Sequence, residues 1–183
     1  MSESSNAPAK NDWAEDFPAG RLVFILEKQL KDTLELQWHV QQARIRLSAV
    51  DSSKIQSLFD GLTGELRTFV EVIRERLQSL SKEDPHLVEM TSSPFWRLFS
   101  EDDINCFCQL EALLCGYAHY GRQTSQAMAA LEQLGDLESL KLLTRIFRAT
   151  DRCLWFVEIY MESLALNVDT SSLPQWEINA AAN

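Results

Sequence analysis

One run of residues limits what this chain can fold into more than any other. Ile55, Leu58, Phe59, Leu62, Leu66, Phe69, Val70, Ile73 and Leu77 recur every three or four residues, with two adjacent pairs. A helix of about 3.6 residues per turn gathers all of them on one face, whereas a strand, whose side chains alternate, would scatter them over two. The pattern predicts a helix over about 53–80. Asp51 or Ser52 stands ready to cap its free backbone N–H groups. Gly61 and Gly64 weaken it by about 1 kcal/mol each relative to Ala, a cost that close packing against a neighbouring helix would offset.

The same period recurs three more times. Leu22, Phe24, Ile25, Leu30, Leu34, Trp38 and Ile45 predict a first helix over about 21–48. Acidic Glu101, Asp102 and Asp103 favour a helix N-terminus, and a third helix is expected from there to about 134, closed by a turn at Gly135-Asp136. A fourth, over about 137–166, would bury Leu140, Leu143, Ile146, Phe147, Leu154, Val157 and Tyr160. Between the second and third lies a stretch, about 81–100, that holds Pro85 and Pro94 and little regular repeat. Its length fits a crossing over the bundle, with Phe95, Trp96, Leu98 and Phe99 forming a short buried piece. The expected class is all-α: a ferritin-like four-helix bundle with a long crossover between helices 2 and 3, a plan shared by other four-helix proteins. The domain reading is a tail over 1–20 ending at Pro18-Ala19-Gly20, a bundle over 21–167 and a tail over 168–183.

Charge and composition narrow the function. The formal net charge of −10 argues against a surface that neutralises many phosphates, which needs clustered Lys and Arg. It suits metal cations or a negatively charged cavity. No uninterrupted apolar stretch reaches membrane-spanning length, and the polar start Met1-Ser2-Glu3-Ser4-Ser5-Asn6 lacks the regions of a signal peptide; the expectation is a cytoplasmic protein with no membrane contact. Cys106, Cys108, Cys115 and Cys153 sit in apolar periodic segments without zinc-site spacing and read as small buried hydrophobes. Metal or redox work by Cys106 and Cys108 is the sharper, less favoured reading.

Asp60, Glu71 and Glu75 are the carboxylates to single out. At about 100° per residue, Glu71 lies about 20° and Glu75 about 60° from Asp60, so the three share a helical face. Glu71 and Glu75, at i and i+4, repel one another unless a cation or base lies between them. Ferrous iron accepts such oxygen ligands. The plainer reading, favoured on spacing alone, pairs these acids with Arg67, Arg74 and Arg76 on a solvated surface. His39, His86 and His119 stand far apart, and His119, between Tyr117 and Tyr120, reads as packed rather than ligating. A Gly-rich phosphate loop, a G-x-S-x-G elbow, an H-E-x-x-H pair and a Glu-x-x-His repeat are all absent from the sequence.

Read in order, several segments resemble the Dps family. Leu34-Glu35-Leu36-Gln37-Trp38-His39-Val40 resembles the end of that family's first helix. Leu58-Phe59-Asp60-Gly61 and Val70-Glu71-Val72-Ile73-Arg74-Glu75-Arg76 resemble its second helix. Leu134-Gly135-Asp136, Leu142-Leu143 and Asp151-Arg152-Cys153-Leu154-Trp155-Phe156-Val157-Glu158 resemble its last turn and helix. The resemblance implies a homo-oligomer, a dodecameric hollow shell, that oxidises ferrous iron with peroxide or oxygen between two-fold-related subunits and stores the ferric product, protecting against oxidative stress. It assigns the metal-binding carboxylates to Asp60, Glu71 and Glu75, with Glu71 where Asp is usual.

Where that family carries two histidines, this chain has Gln37 and Gln56, neutral and weaker oxygen donors than imidazole nitrogen. His39, about 200° from Gln37 around the helix, is no simple substitute. The connection from Trp38 to Asp60 is about seven residues longer than usual, roughly two helical turns. Lys141 stands where the resemblance implies an acid facing an ion-entry pore, and opposes cation passage there. The first 20 residues contain only Lys10 as a base, and no Lys or Arg follows Arg152, so DNA binding through the tails is not expected. Three functions remain: an iron-storing shell; a structural or binding shell that has lost its ferroxidase centre; and, least favoured because it would make the match from Trp155 to Glu158 accidental, an unrelated helical adaptor.

Overall fold

The computed structural model of the chain describes residues 18–47, 53–80 and 106–165. The terminal arms, the Asp51 or Ser52 cap, His86, the piece around Phe95 and Trp96 and the acidic start expected for helix 3 lie outside these residues. The described residues form four helices, α1 Pro18–Arg46, α2 Ser53–Leu80, α3 Cys106–Leu134 and α4 Leu137–Ala165, and no strand. The all-α bundle is as the apolar period predicts. Helix α1, however, begins at Pro18 and not after Gly20. Proline suits a first helical position because its φ is already helical and its missing N–H would have had no partner there.

The face that α1 buries also differs from expectation. Leu22, Leu26, Leu30, Leu36, Val40, Ala43 and Leu47 point inward, and Ile25 and Leu34 sit at the margin. Phe24, Trp38 and Ile45 are 55%, 39% and 64% exposed. They are spaced by fourteen and seven residues, which drifts only about 20° per seven on a straight helix, so they make a second apolar stripe on the outside. Polar Gln29 and Thr33 take inward positions, and both are buried. On α2 the expected stripe is buried throughout, together with Gly61. On α4, Leu143, Ile146, Val157 and Tyr160 are buried, while Leu140, Phe147 and Leu154 are partly so.

Contacts between the helices give their directions. Helix α1 packs on α2 and α3, α4 on α3 and α2. Gln29 meets Thr124 at 2.8 Å and Arg46 meets Gln109 at 3.3 Å, so α1 and α3 are antiparallel. Arg152 approaches Glu65 at 3.7 Å and Arg76 meets Glu138 at 2.6 Å, so α2 and α4 are antiparallel as well. Helices α3 and α4 are joined by a two-residue turn. It follows that α2 runs parallel to α3, and that the 81–105 connection joins opposite ends of a bundle about 40 Å long. This is why it must be long.

The turn between α3 and α4 is closed by backbone chemistry. Gly135 sits at φ 73°; its N–H donates to Glu132 O at 3.1 Å, and Asp136 N–H donates to Leu131 O at 3.2 Å. These paired bonds satisfy the last carbonyls of α3 and need a left-handed residue at the junction. Asp136 then caps α4, its Oδ1 accepting from Ser139 N–H at 2.7 Å. Arg76, from the far end of α2, ties the turn down. Its guanidinium reaches Asp136 Oδ2 at 2.9 Å, Glu138 Oε2 at 2.6 Å and Ser139 Oγ at 2.9 Å. Partial burial alone would raise the Asp136 pKa, but the Ser139 amide and hydroxyl and the Arg76 charge outweigh it and hold the carboxyl below its ordinary value.

A Cβ added at Gly135 meets nothing within 4 Å, so Gly135→Ala tests conformation alone: urea unfolding should show a loss of about 1 kcal/mol. Arg76→Met keeps much of the side-chain bulk but leaves Asp136 with no guanidinium. A loss of about 2 kcal/mol is expected, with a shallower acid-unfolding curve, because the Asp136 contribution is present above the ordinary carboxylate pKa and lost as pH falls through its lowered value.

Candidate functional site

Helix α2 presents Asp60, Glu71 and Glu75 to solvent, all three exposed. They share a face, but Glu71 lies eleven residues beyond Asp60, about 16 Å along the axis, and Glu75 about 6 Å further. No single ion reaches Asp60 and Glu71 of one chain. Accordingly, among the described residues no group of three His, Cys, Asp or Glu side chains is arranged to hold a metal ion. Asp60 pairs instead with Arg44 of α1 at 2.6 Å, with the two side chains 60% and 47% exposed. An ion pair this open is worth at most about 1 kcal/mol, so a divalent cation competes with it at little cost. Glu71 and Glu75 have no ion-pair partner among the described residues.

The basic residues expected beside these acids are arranged otherwise. Arg76 is turned to the α3–α4 junction, and Arg67 and Arg74 are exposed without an ion pair among the described residues. Glu71 and Glu75, one helical turn apart, therefore repel one another with no ion pair to either among the described residues. The sequence reading missed both the Arg44 contact and the role of Arg76. The signal for the second was the Gly135-Asp136 turn with Ser139 three residues on, which announces a capped helix start that a nearby cation would complete.

Gln37 is partly buried on α1 and Gln56 exposed near the start of α2. Next to Gln37, His39 packs edge-on against the Trp38 ring, centroids 4.7 Å apart and planes at 88°. Burial, helped by the Arg46 charge, lowers the His39 pKa to about 4, so the imidazole is neutral in the folded protein near neutral pH. His119 is also partly buried on α3, its pKa lowered by burial and by Arg122. Of the cysteines, all free, Cys153 is buried, Cys106 and Cys108 are partly buried and Cys115 is exposed. The reading of all four as core residues therefore holds fully for Cys153 alone. Burial pushes the Cys153 and Cys106 thiols up, which opposes thiolate chemistry at both.

Because the folded state keeps His39 neutral while the unfolded chain protonates it near pH 6.5, its contribution to stability is present above about pH 6.5 and lost as pH falls towards about pH 4. His119 adds in the same direction. The thermal midpoint should therefore drop from about pH 7 to about pH 5, and His39→Gln should show a smaller drop over that interval. Circular dichroism melts of both proteins measure it; equal drops would show that His39 does not carry the effect.

No protein-family model and no curated protein sequence matches the chain. Solved structures do. A mutant of Mycobacterium smegmatis Dps1 aligns at a TM-score of 0.69 with 21% identity, over 80% of this chain and 98% of that one. Dps from Thermosynechococcus elongatus aligns at 0.62 with 12% identity, over 82% and 95%. The Vibrio cholerae O1 DPS protein, described as a member of a broad superfamily of ferritin-like diiron-carboxylate proteins, aligns at 0.64 with 16% identity, over 86% and 99%. With its two antiparallel helix pairs and its long connection between parallel α2 and α3, the chain has the ferritin-like four-helix fold of the Dps proteins.

Proposed function

We propose that the protein is a Dps-like, cytoplasmic, iron-storing shell, a dodecamer that takes up ferrous iron and oxidises it with peroxide or oxygen, limiting oxidative damage. The observation that carries this reading is the placement of Asp60, Glu71 and Glu75 on one exposed face of α2 within a Dps-type fold. A single chain spreads these carboxylates too far apart for one ion. A second α2 lying antiparallel brings Asp60 of one copy beside Glu71 and Glu75 of the other, and iron bound there would relieve the repulsion between the two glutamates. Gln37 and Gln56 would add neutral amide oxygens. The outward stripe of Phe24, Trp38 and Ile45 supports assembly, since apolar side chains aligned on one exposed helix face favour contact with another copy. No helix of the described residues is long and apolar enough to cross a membrane.

A second reading rests on its own observation. Gln37 and Gln56 stand where the resemblance implies histidines, which favours a shell without a ferroxidase centre.

Ferrous iron oxidation by the full chain, followed by absorbance with bound iron and particle mass measured on the same sample, separates the two. Oxidation by a large iron-loaded particle is expected, with Glu71→Ala/Glu75→Ala losing about tenfold or more in rate while keeping its mass. A particle of the same mass that does not oxidise iron would favour the second reading, and a monomer would overturn both.

A further inference from the structure

A groove of about 730 Å³ runs between α2 and α4, within the range of small-molecule sites. Its α4 wall carries Lys141, Arg145 and Arg148, all exposed. At about 100° per residue these three fall within about 60° of one another, at successive heights of about 6 and 4.5 Å. None of the three has an ion pair or hydrogen bond among the described residues. The α2 wall adds Glu75 and Arg76. Arg76 is occupied by Asp136 and Glu138, which also removes Glu138 as a partner for the α4 bases. Three unpaired cations thus face one unpaired carboxylate, in a chain whose formal net charge is −10.

We infer that this groove binds a linear oligophosphate, either free or as the phosphate chain of a nucleotide. Two guanidinium groups one turn apart present planar forks that suit phosphate oxygens, and the Lys141 ammonium extends the positive track at one end. A ligand with a single charge would engage one or two of these groups; a chain of linked phosphates engages all three along about 10 Å. The floor between the walls is apolar, with Val72 and Leu142, and offers a bound phosphate chain no competing acid. The track is also short. Glu75 and the strongly acidic remainder of the molecule repel a polyanion that runs past it, so a long nucleic-acid backbone is disfavoured.

Calorimetric titration of the full chain at low salt with inorganic tripolyphosphate, with adenosine triphosphate and with a single-stranded oligonucleotide tests the inference. Saturable binding of a triphosphate at one site per chain is expected, weakening as salt is raised. Arg145→Gln/Arg148→Gln should weaken it by about tenfold or more, while Arg67→Gln/Arg74→Gln, which removes the same charge from the exposed side of α2, should change it little. Lys141→Gln, a single change at the groove's end, supplies a second reading should the double variant lose helix content. Tighter binding of the inorganic chain identifies free oligophosphate as the ligand, and tighter binding of the triphosphate carried on adenosine identifies a nucleotide. No binding by either, equal weakening in both double variants, or tighter binding of the oligonucleotide would overturn it.

Discussion

The register between α1 and α3 rests on two buried polar pairs, and much of the remaining geometry follows from it. Thr33 Oγ1 donates to Gln29 O at 2.7 Å. Its single proton is thereby used, and the Tyr120 hydroxyl, 2.8 Å away, must be the donor in the contact between them. Thr124 likewise donates to Tyr120 O at 2.9 Å and accepts from Gln29 Nε2 at 2.8 Å. Every hydroxyl proton in the cluster has a carbonyl or hydroxyl oxygen to meet. Burial pushes the Tyr120 pKa up to about 12, so the phenol stays protonated and keeps donating. A slide of α3 by one turn would strand these groups inside the bundle at about 1–3 kcal/mol each, whereas a purely apolar seam would tolerate it with little more than repacking. With α1 and α3 held antiparallel in one register, α4 returns along α3, the end of α2 meets the α3–α4 turn, and Arg76 reaches Asp136.

This explains which parts of the fold were legible in the sequence. The four helices were, because the apolar period is a local property of each segment, and α2 was read almost to the residue. The inward face of α1 was not. Its core positions include Gln29 and Thr33, which look like surface residues until their partners on α3 are known, and its outer face carries Phe24, Trp38 and Ile45, which look like core. Pairs such as Gln29 with Thr124 or Arg76 with Asp136 join residues far apart in the chain, and no period or spacing in one segment announces them. Gly135 could be read as a turn from its type alone, since only glycine takes φ 73° without a steric cost.

The carboxylate face of α2 shows a further limit of reading one chain. Angular spacing correctly places Asp60, Glu71 and Glu75 on one side, but angle ignores height. Along the axis the acids fall into two groups about 16 Å apart, and each group by itself is incomplete as a metal site: Asp60 with a guanidinium against it, Glu71 and Glu75 with nothing between them. The shell proposed above would join two such halves, from two copies of α2, across a two-fold axis. Gln37 and Gln56, which the resemblance assigns to the same site, are neutral amides and add no charge to either group.

Net charge misleads in a similar way, because it averages over surfaces that a ligand meets one at a time. A total of −10 argues well against a protein that wraps a long nucleic acid, whose phosphates would meet many acids. It says little about a groove of one helix turn or two. On α4 the residues Lys141, Arg145, Arg148 and Arg152 follow at intervals of four, three and four, the spacing that keeps side chains on one side of a helix. Among the described residues only Arg152, the last, finds an acid, Glu65, and at 3.7 Å it does so loosely. Helix α2 passes opposite and could have offered a carboxylate at every turn. Of its described carboxylates it offers Glu75 alone to the groove, while Arg76 beside it is held by Asp136 and Glu138. The fold thus gathers bases on the α4 wall and turns that wall's own acid, Glu138, to Arg76, leaving a local surplus of positive charge opposite in sign to the net charge of the chain.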